Sequence, residues 1–250
     1  ISTLYHEGII SRDIGNAEKL SIYLSVKGDA STQALCIPEK IASVYYGSAL
    51  DVIEKYYHYR FDISTCYEEY TTAYGKVRGR SKNNVIARNY AISQIEYVPQ
   101  GLDIIFDYDG SWLSWLRGAC YIVIAAFTGC RDSEIKSFNI HSYQEKKYAD
   151  MIIPVVYGYD TKPNVGGALR STSWVTIPTV KKAISLLWHA FEFARDGWRE
   201  KAKLIKHADE KKLFNEKVES LFVTFPYMRG HRPDAGKQSI AHSLKSYLKS

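Results

Sequence analysis

The sequence predicts an α+β protein, predominantly helical, with an N-terminal helical domain over residues 1–102 and a mixed domain over residues 103–250 that holds a small antiparallel β-hairpin. Three observations predict it. Several segments repeat apolar residues at three-and-four spacing, the mark of amphipathic helices. The run V-P-Q-G-L-D, with Pro99 and Gly101, breaks that pattern near the middle of the chain. Two runs rich in Val, Ile, Trp and Thr flank a stretch with three glycines, one proline and one asparagine, which reads as a hairpin. At 250 residues and 46% hydrophobic content the chain can bury a real core.

The elements follow in order. Ile41, Val44, Tyr45, Ala49, Val52, Ile53 and Tyr56 lie on one helical face, and Pro38 suits a first turn. The tyrosines of this region, Tyr45, Tyr46, Tyr56, Tyr57 and Tyr59, are expected in packing rather than in chemistry. A second helix is expected over Ile63–Tyr74 and a third over about Asn83–Tyr97. W-L-S-W-L-R-G-A-C-Y-I-V-I-A-A-F is apolar on nearly every side after Arg117, as a helix at the centre of a domain is. Gly129 suits the left-handed position just past that helix. A short helix can start at once, with Asp132 and Glu134 in its first turn and Ile135 and Phe138 on its buried face. Arg131 stands at the junction.

Next come A-D-M-I-I-P-V-V-Y and A-L-R-S-T-S-W-V-T-I-P, the two strands of the hairpin. Pro154 in the first suggests an edge strand or a bulge. After Pro178, Thr179 can cap a helix that buries Val180, Ala183, Ile184, Leu187, Trp188 and Phe191. The mixed-charge run from Ala194 to Val218 reads as an exposed helical extension. A turn-rich basic stretch leads to a last short helix, I-A-H-S-L-K-S-Y-L-K.

Charge narrows the function classes. Residues 1–100 carry eleven Lys and Arg against eleven Asp and Glu, so the net charge of +6 belongs to the rest. Within the neutral part, Lys76, Arg78, Arg80, Lys82 and Arg88 crowd into one stretch with no acid between Thr71 and Ile95. Such a run can neutralise several phosphates and release their counterions, which makes these five residues candidate DNA-binding groups; a solvated face is the competing reading. The apolar stretch Gly118–Phe127 lies between Arg117 and Arg131 and falls short of the roughly 18 residues a bilayer span needs. The first ten residues show no secretion signal. Cys36, Cys66, Cys120 and Cys130 are scattered, away from any histidine cluster, which predicts free thiols in a reducing cytoplasm and neither a zinc site nor a disulfide framework.

The order of buried helix, T-G-C-R-D-S-E-I, hairpin with T-K near its turn, W-V-T-I-P and amphipathic helix resembles the catalytic domain of the tyrosine recombinases, the phage integrase family. That family's first catalytic box has the form T-G-x-R-x-x-E followed by an apolar residue, matched here by Thr128, Gly129, Arg131, Glu134 and Ile135. The hairpin lysine, Lys162, follows about thirty residues later, as the family's does. The N-terminal helical domain with its basic run resembles the family's core-binding domain, which clamps double-stranded DNA.

The resemblance implies a site-specific recombinase or integrase that breaks and rejoins DNA through a phosphotyrosyl intermediate, without a cofactor or metal. It implies that Arg131 meets two non-bridging oxygens of the phosphate, that Glu134 supports Arg131, and that Lys162 protonates the departing 5′ oxygen. It also implies a homotetramer on DNA for the full-length protein and a nucleoid-associated, cytoplasmic location. The family's second box, H-x-x-R, and its nucleophilic tyrosine are not legible. His231 and Arg232 have the wrong spacing, His242 is followed three places on by Lys245, and Tyr247 is too close to serve. The catalytic domain therefore reads as C-terminally truncated, so that the chain is expected to bind DNA without cutting it. A non-catalytic helical DNA- or RNA-binding protein is the alternative.

Overall fold

The computed structural model describes residues 37–78, 84–107, 110–160, 170–224 and 237–248. Two compact units divide the chain, Ile1–Ser48 and Ala49–Ser250. Of the first, residues 37–48 are described, and residues 39–48 belong to the opening turns of helix α1, Glu39–Tyr57. The carbonyl of Pro38 accepts the N–H groups of Ile41 and Ala42, so the proline stands just outside the helix and starts it.

Among the described residues the second unit is mostly helical and holds a three-stranded antiparallel sheet. Its helices after α1 are α2 Arg60–Arg78, α3 Asn84–Ser93, α4 Ser111–Thr128, α5 Asp132–Ile135, α6 Pro178–Ala190, α7 Glu192–Ala202, α8 Ala208–Val218 and α9 Lys237–Tyr247. The strands are β1 Tyr143–Tyr148, β2 Met151–Asp160 and β3 Arg170–Val175. No helix among the described residues is long and apolar enough to cross a membrane.

Helix α4 lies at the centre, as its all-round apolarity predicts: Leu113, Leu116, Ala119, Cys120, Val123 and Ile124 are fully buried. Its start is capped from outside by Asp107, whose carboxylate accepts the N–H groups of Ser111 (2.9 Å) and Trp112 (3.1 Å). Gly129 ends it at φ 67°, with its N–H donated to the carbonyl of Ala125. Aromatic rings fill the space between α4 and its neighbours. Tyr67 of α2 stacks on Trp112 and Phe193, and Tyr56 of α1 meets Trp112 and Trp115 edge-on.

Several elements depart from the sequence expectations. Helix α2 runs to Arg78 rather than Tyr74, so Lys76 is helical, and α3 stops at Ser93 rather than Tyr97. After α3, Gln94 and Ile95 make tight three-residue bonds and the N–H of Glu96 goes to Glu69, which turns the chain away. Pro178 is the first residue of α6 and Ile177 its N-cap, in place of Thr179.

The sheet has order β1-β2-β3, so Pro154 sits in the central strand and not at an edge. In the β2/β3 register Val155 faces Val175, which sets Pro154 against Thr176, one place past the end of β3. There the Pro154 carbonyl accepts the Thr176 N–H at 3.0 Å, and the missing proline donor costs the ladder only a terminal bond. Strand β1 escapes the pattern reading because Y-Q-E-K-K-Y has no apolar alternation. It is exposed along nearly all its length and forms by pairing with β2 across a two-residue turn. Ala149 in that turn has φ 50°, a left-handed conformation that costs a side chain about 1 kcal/mol. Ala149→Gly is expected to raise the melting temperature by about 2–4 °C, read by calorimetry.

The mixed-charge run also differs from the expectation. Its second part, α8, is largely exposed, but α7 buries Phe193, Ala194, Arg195 and Trp198. Arg195 is 0% exposed, with Nη1 donating to the carbonyl of Trp188 and Nη2 to those of Ser220 and Leu221, over the Trp188 ring.

Candidate functional site

Arg131 stands where the sequence places it, between two helices. Thr128 ends α4 with its hydroxyl on the Ile124 carbonyl, and the same oxygen accepts the Cys130 N–H. After Gly129 the chain is extended at Arg131 (φ −72°, ψ 154°), which is the N-cap of α5. Glu134 closes the turn. Its Oε2 accepts the Arg131 N–H at 2.8 Å, and its Oε1 lies 3.3 Å from Nη1 of the same residue. The carboxylate is nearly buried whereas the guanidinium is half exposed, so Glu134 anchors and Arg131 points outward.

A second carboxylate completes the surroundings: Asp160 Oδ1, at the end of β2, is 3.6 Å from Arg131 Nη1. Its position follows from how the sheet docks on α5. Gly158 lies so close to Phe138 that a Cβ there would come 2.6 Å from the ring, and Ser137 joins the Glu134 carbonyl to the Tyr159 N–H. Gly129, Arg131, Glu134, Asp160, Thr172 and Trp174 line an open cleft of about 230 Å³.

Nearby groups with nucleophilic potential are held in their protonated forms. Burial, with the neighbouring Glu134 adding to it, pushes the Cys130 thiol up to about 11. Tyr121 donates to Asp132 at 3.2 Å, and burial first, then that carboxylate, raise its phenol well above the ordinary tyrosine value. Neither makes a ready nucleophile at neutral pH. Among the described residues no group of His, Cys, Asp or Glu is arranged to hold a metal ion.

Of the other candidate residues, Lys162, Arg80 and Lys82 lie outside the described residues, as does the side chain of Arg78. Lys76 is exposed on the last turn of α2. Arg88 is partly turned inward, its Nε donating to the Phe106 carbonyl, so this member of the basic run also ties α3 to the connection before α4. Sequence reasoning missed Asp160, Thr172 and Trp174. The two β3 residues share an alternation with Arg170, a signal that acquires meaning once the β2/β3 register is known. No protein-family model, curated protein or solved structure matches the chain.

Proposed function

We propose that the chain binds double-stranded DNA and carries the first part of a phosphoryl-transfer site of the tyrosine recombinase kind. Arg131 would grip the non-bridging oxygens of one phosphodiester, with Glu134 as its support. The observation that carries the reading is the Arg131 junction itself. A half-exposed guanidinium is fixed by its own backbone N–H and by its side chain to one nearly buried carboxylate, and it opens on a polar cleft. Preorganised donors aimed at developing charge are what this chemistry needs, because they reorient little as the transition state forms. Lys162 is proposed as the proton donor to the leaving oxygen, and the helical part with Lys76, Arg78, Arg80, Lys82 and Arg88 as a further contact to the duplex. An H-x-x-R box with a tyrosine beyond it is not legible in these 250 residues, and duplex binding without strand cleavage is the activity we propose for them.

Anisotropy with a fluorescein-labelled duplex over a salt series tests the binding half. Affinity should fall steeply with salt, and changing Lys76, Arg78, Arg80 and Lys82 together to Gln should flatten the log–log slope by about 0.9 for each phosphate no longer neutralised. An unchanged slope would remove those residues from the interface. One observation favours a second reading, a non-catalytic nucleic-acid-binding protein: Glu134 and Asp160 both face Arg131, and two carboxylates oppose an incoming phosphate. Under that reading Arg131→Gln leaves duplex affinity unchanged while the basic-run substitutions weaken it.

A further inference from the structure

The electrostatics around Arg131 do not balance for an anion. Among the described residues, one guanidinium between Glu134 and Asp160 makes a formal charge of +1 − 2 = −1, a poor host for a phosphodiester that brings another negative charge. The strand register supplies what is missing. Asp160 and Arg170 are direct partners in the β2/β3 ladder, so their side chains leave the same face of the sheet with Cβ atoms about 5 Å apart. By the same alternation Thr172 and Trp174 share that face, and both line the Arg131 cleft. Thr172 and Trp174 are the less exposed members of β3, while Arg170, at the strand's start and two places before Thr172 on the same face, is exposed. Among the described residues Arg170 forms no ion pair.

We propose that Arg170 is a second phosphate-binding cation of the Arg131 cleft, and that Asp160, next to both arginines, is the group a bound phosphodiester displaces. With Arg170 counted the formal charge of these described groups becomes zero, and it becomes positive once Asp160 turns away; the proposed Lys162 would add to it. Two forks approaching from α5 and from β3 hold a tetrahedral anion in one orientation, which a single arginine does not. The Trp174 ring forms the wall beside it. The inference rests on the proposed DNA-binding reading of Arg131.

The test uses the full chain and a fluorescein-labelled duplex, with the folding of each variant checked by circular dichroism. Arg170→Gln should weaken binding about tenfold or more, the effect of losing a charge-assisted bond, and Arg170→Lys should recover part of the loss. Asp160→Asn should tighten binding severalfold. The double variant Arg131→Gln/Arg170→Gln should lose less than the product of the single losses, because both forks serve one phosphate. If Arg131→Gln weakens binding and Arg170→Gln stays within about twofold of wild type, Arg170 is not in the site, and the DNA-binding reading survives. Losses that multiply would place Arg170 on a separate phosphate and overturn the shared cleft. An Asp160→Asn variant that binds no tighter overturns the displacement. Wild-type protein with no salt-dependent duplex binding overturns this inference and the reading beneath it together.

Discussion

Gly118→Ala is expected to destabilise the protein by about 2 kcal/mol or more and to loosen α9 before the rest of the fold. A Cβ at Gly118 would come 2.5 Å from the Ser243 carbonyl oxygen and 2.9 Å from Tyr247 Cβ, where α4 and α9 cross. The first of these neighbours is backbone, so no rotamer change relieves the clash and the helices must separate. Against this, alanine gains about 1 kcal/mol of helix propensity over glycine, which the clash outweighs. The adjacent Arg117 raises the effect. It is buried, and its Nε–H donates to Ser243 Oγ at 2.7 Å and its Nη1 to the Val223 carbonyl, bonds that any shift of α9 lengthens. Burial alone lowers the Arg117 pKa to about 10, so it enters the core charged at neutral pH and depends on these partners. Gly75 provides the control. It is helical too, but a Cβ there meets nothing within 4 Å, and Gly75→Ala should stabilise by about 0.5–1 kcal/mol. Urea midpoints give both signs, and hydrogen exchange across α9 locates the first. Equal effects at the two glycines would contradict the close crossing.

Arg195→Met should cost about 3 kcal/mol or more in the same urea experiment. The methionine keeps the apolar stem, but the carbonyls of Trp188, Ser220 and Leu221 are left without donors inside the protein, and each orphaned group costs about 1–3 kcal/mol. Burial lowers the Arg195 pKa to about 10, which leaves it charged at neutral pH and dependent on those carbonyls and on the Trp188 face. Because the bonds join α6 and α7 to Ser220 and Leu221, exchange should rise first in that segment. A loss below about 1 kcal/mol would mean that water replaces the guanidinium, which the buried position does not permit.

What was legible in the sequence was local. The apolar run of α4, its glycine stop and the Arg131 junction before a carboxylate-bearing turn are set by residues within one or two turns of each other, and the structure has each of them. Strands β2 and β3 were legible from their β-branched content. Strand β1 was not, because a charged hexapeptide becomes a strand through its partner. The burial of α7 could have been read: Phe191, Ala194, Trp198 and Ala202 form a helical stripe, and Arg195 lies within it. Charge density hid the stripe. The Asp160 side of the cleft depends on a register between residues ten apart in sequence and on the approach of Gly158 to Phe138, neither of which a local pattern encodes.

The central claim is that Arg131 is aimed at a phosphate rather than spent on its two carboxylates. As a helix-surface ion pair it would contribute a few tenths of a kcal/mol and nothing else. Duplex binding by wild type and Arg131→Gln, measured by anisotropy at several salt concentrations, separates the two. A phosphate ligand predicts that Arg131→Gln keeps its urea midpoint, loses about tenfold or more in duplex affinity and reduces the salt slope by about one. Wild-type affinity and slope in Arg131→Gln would contradict the account.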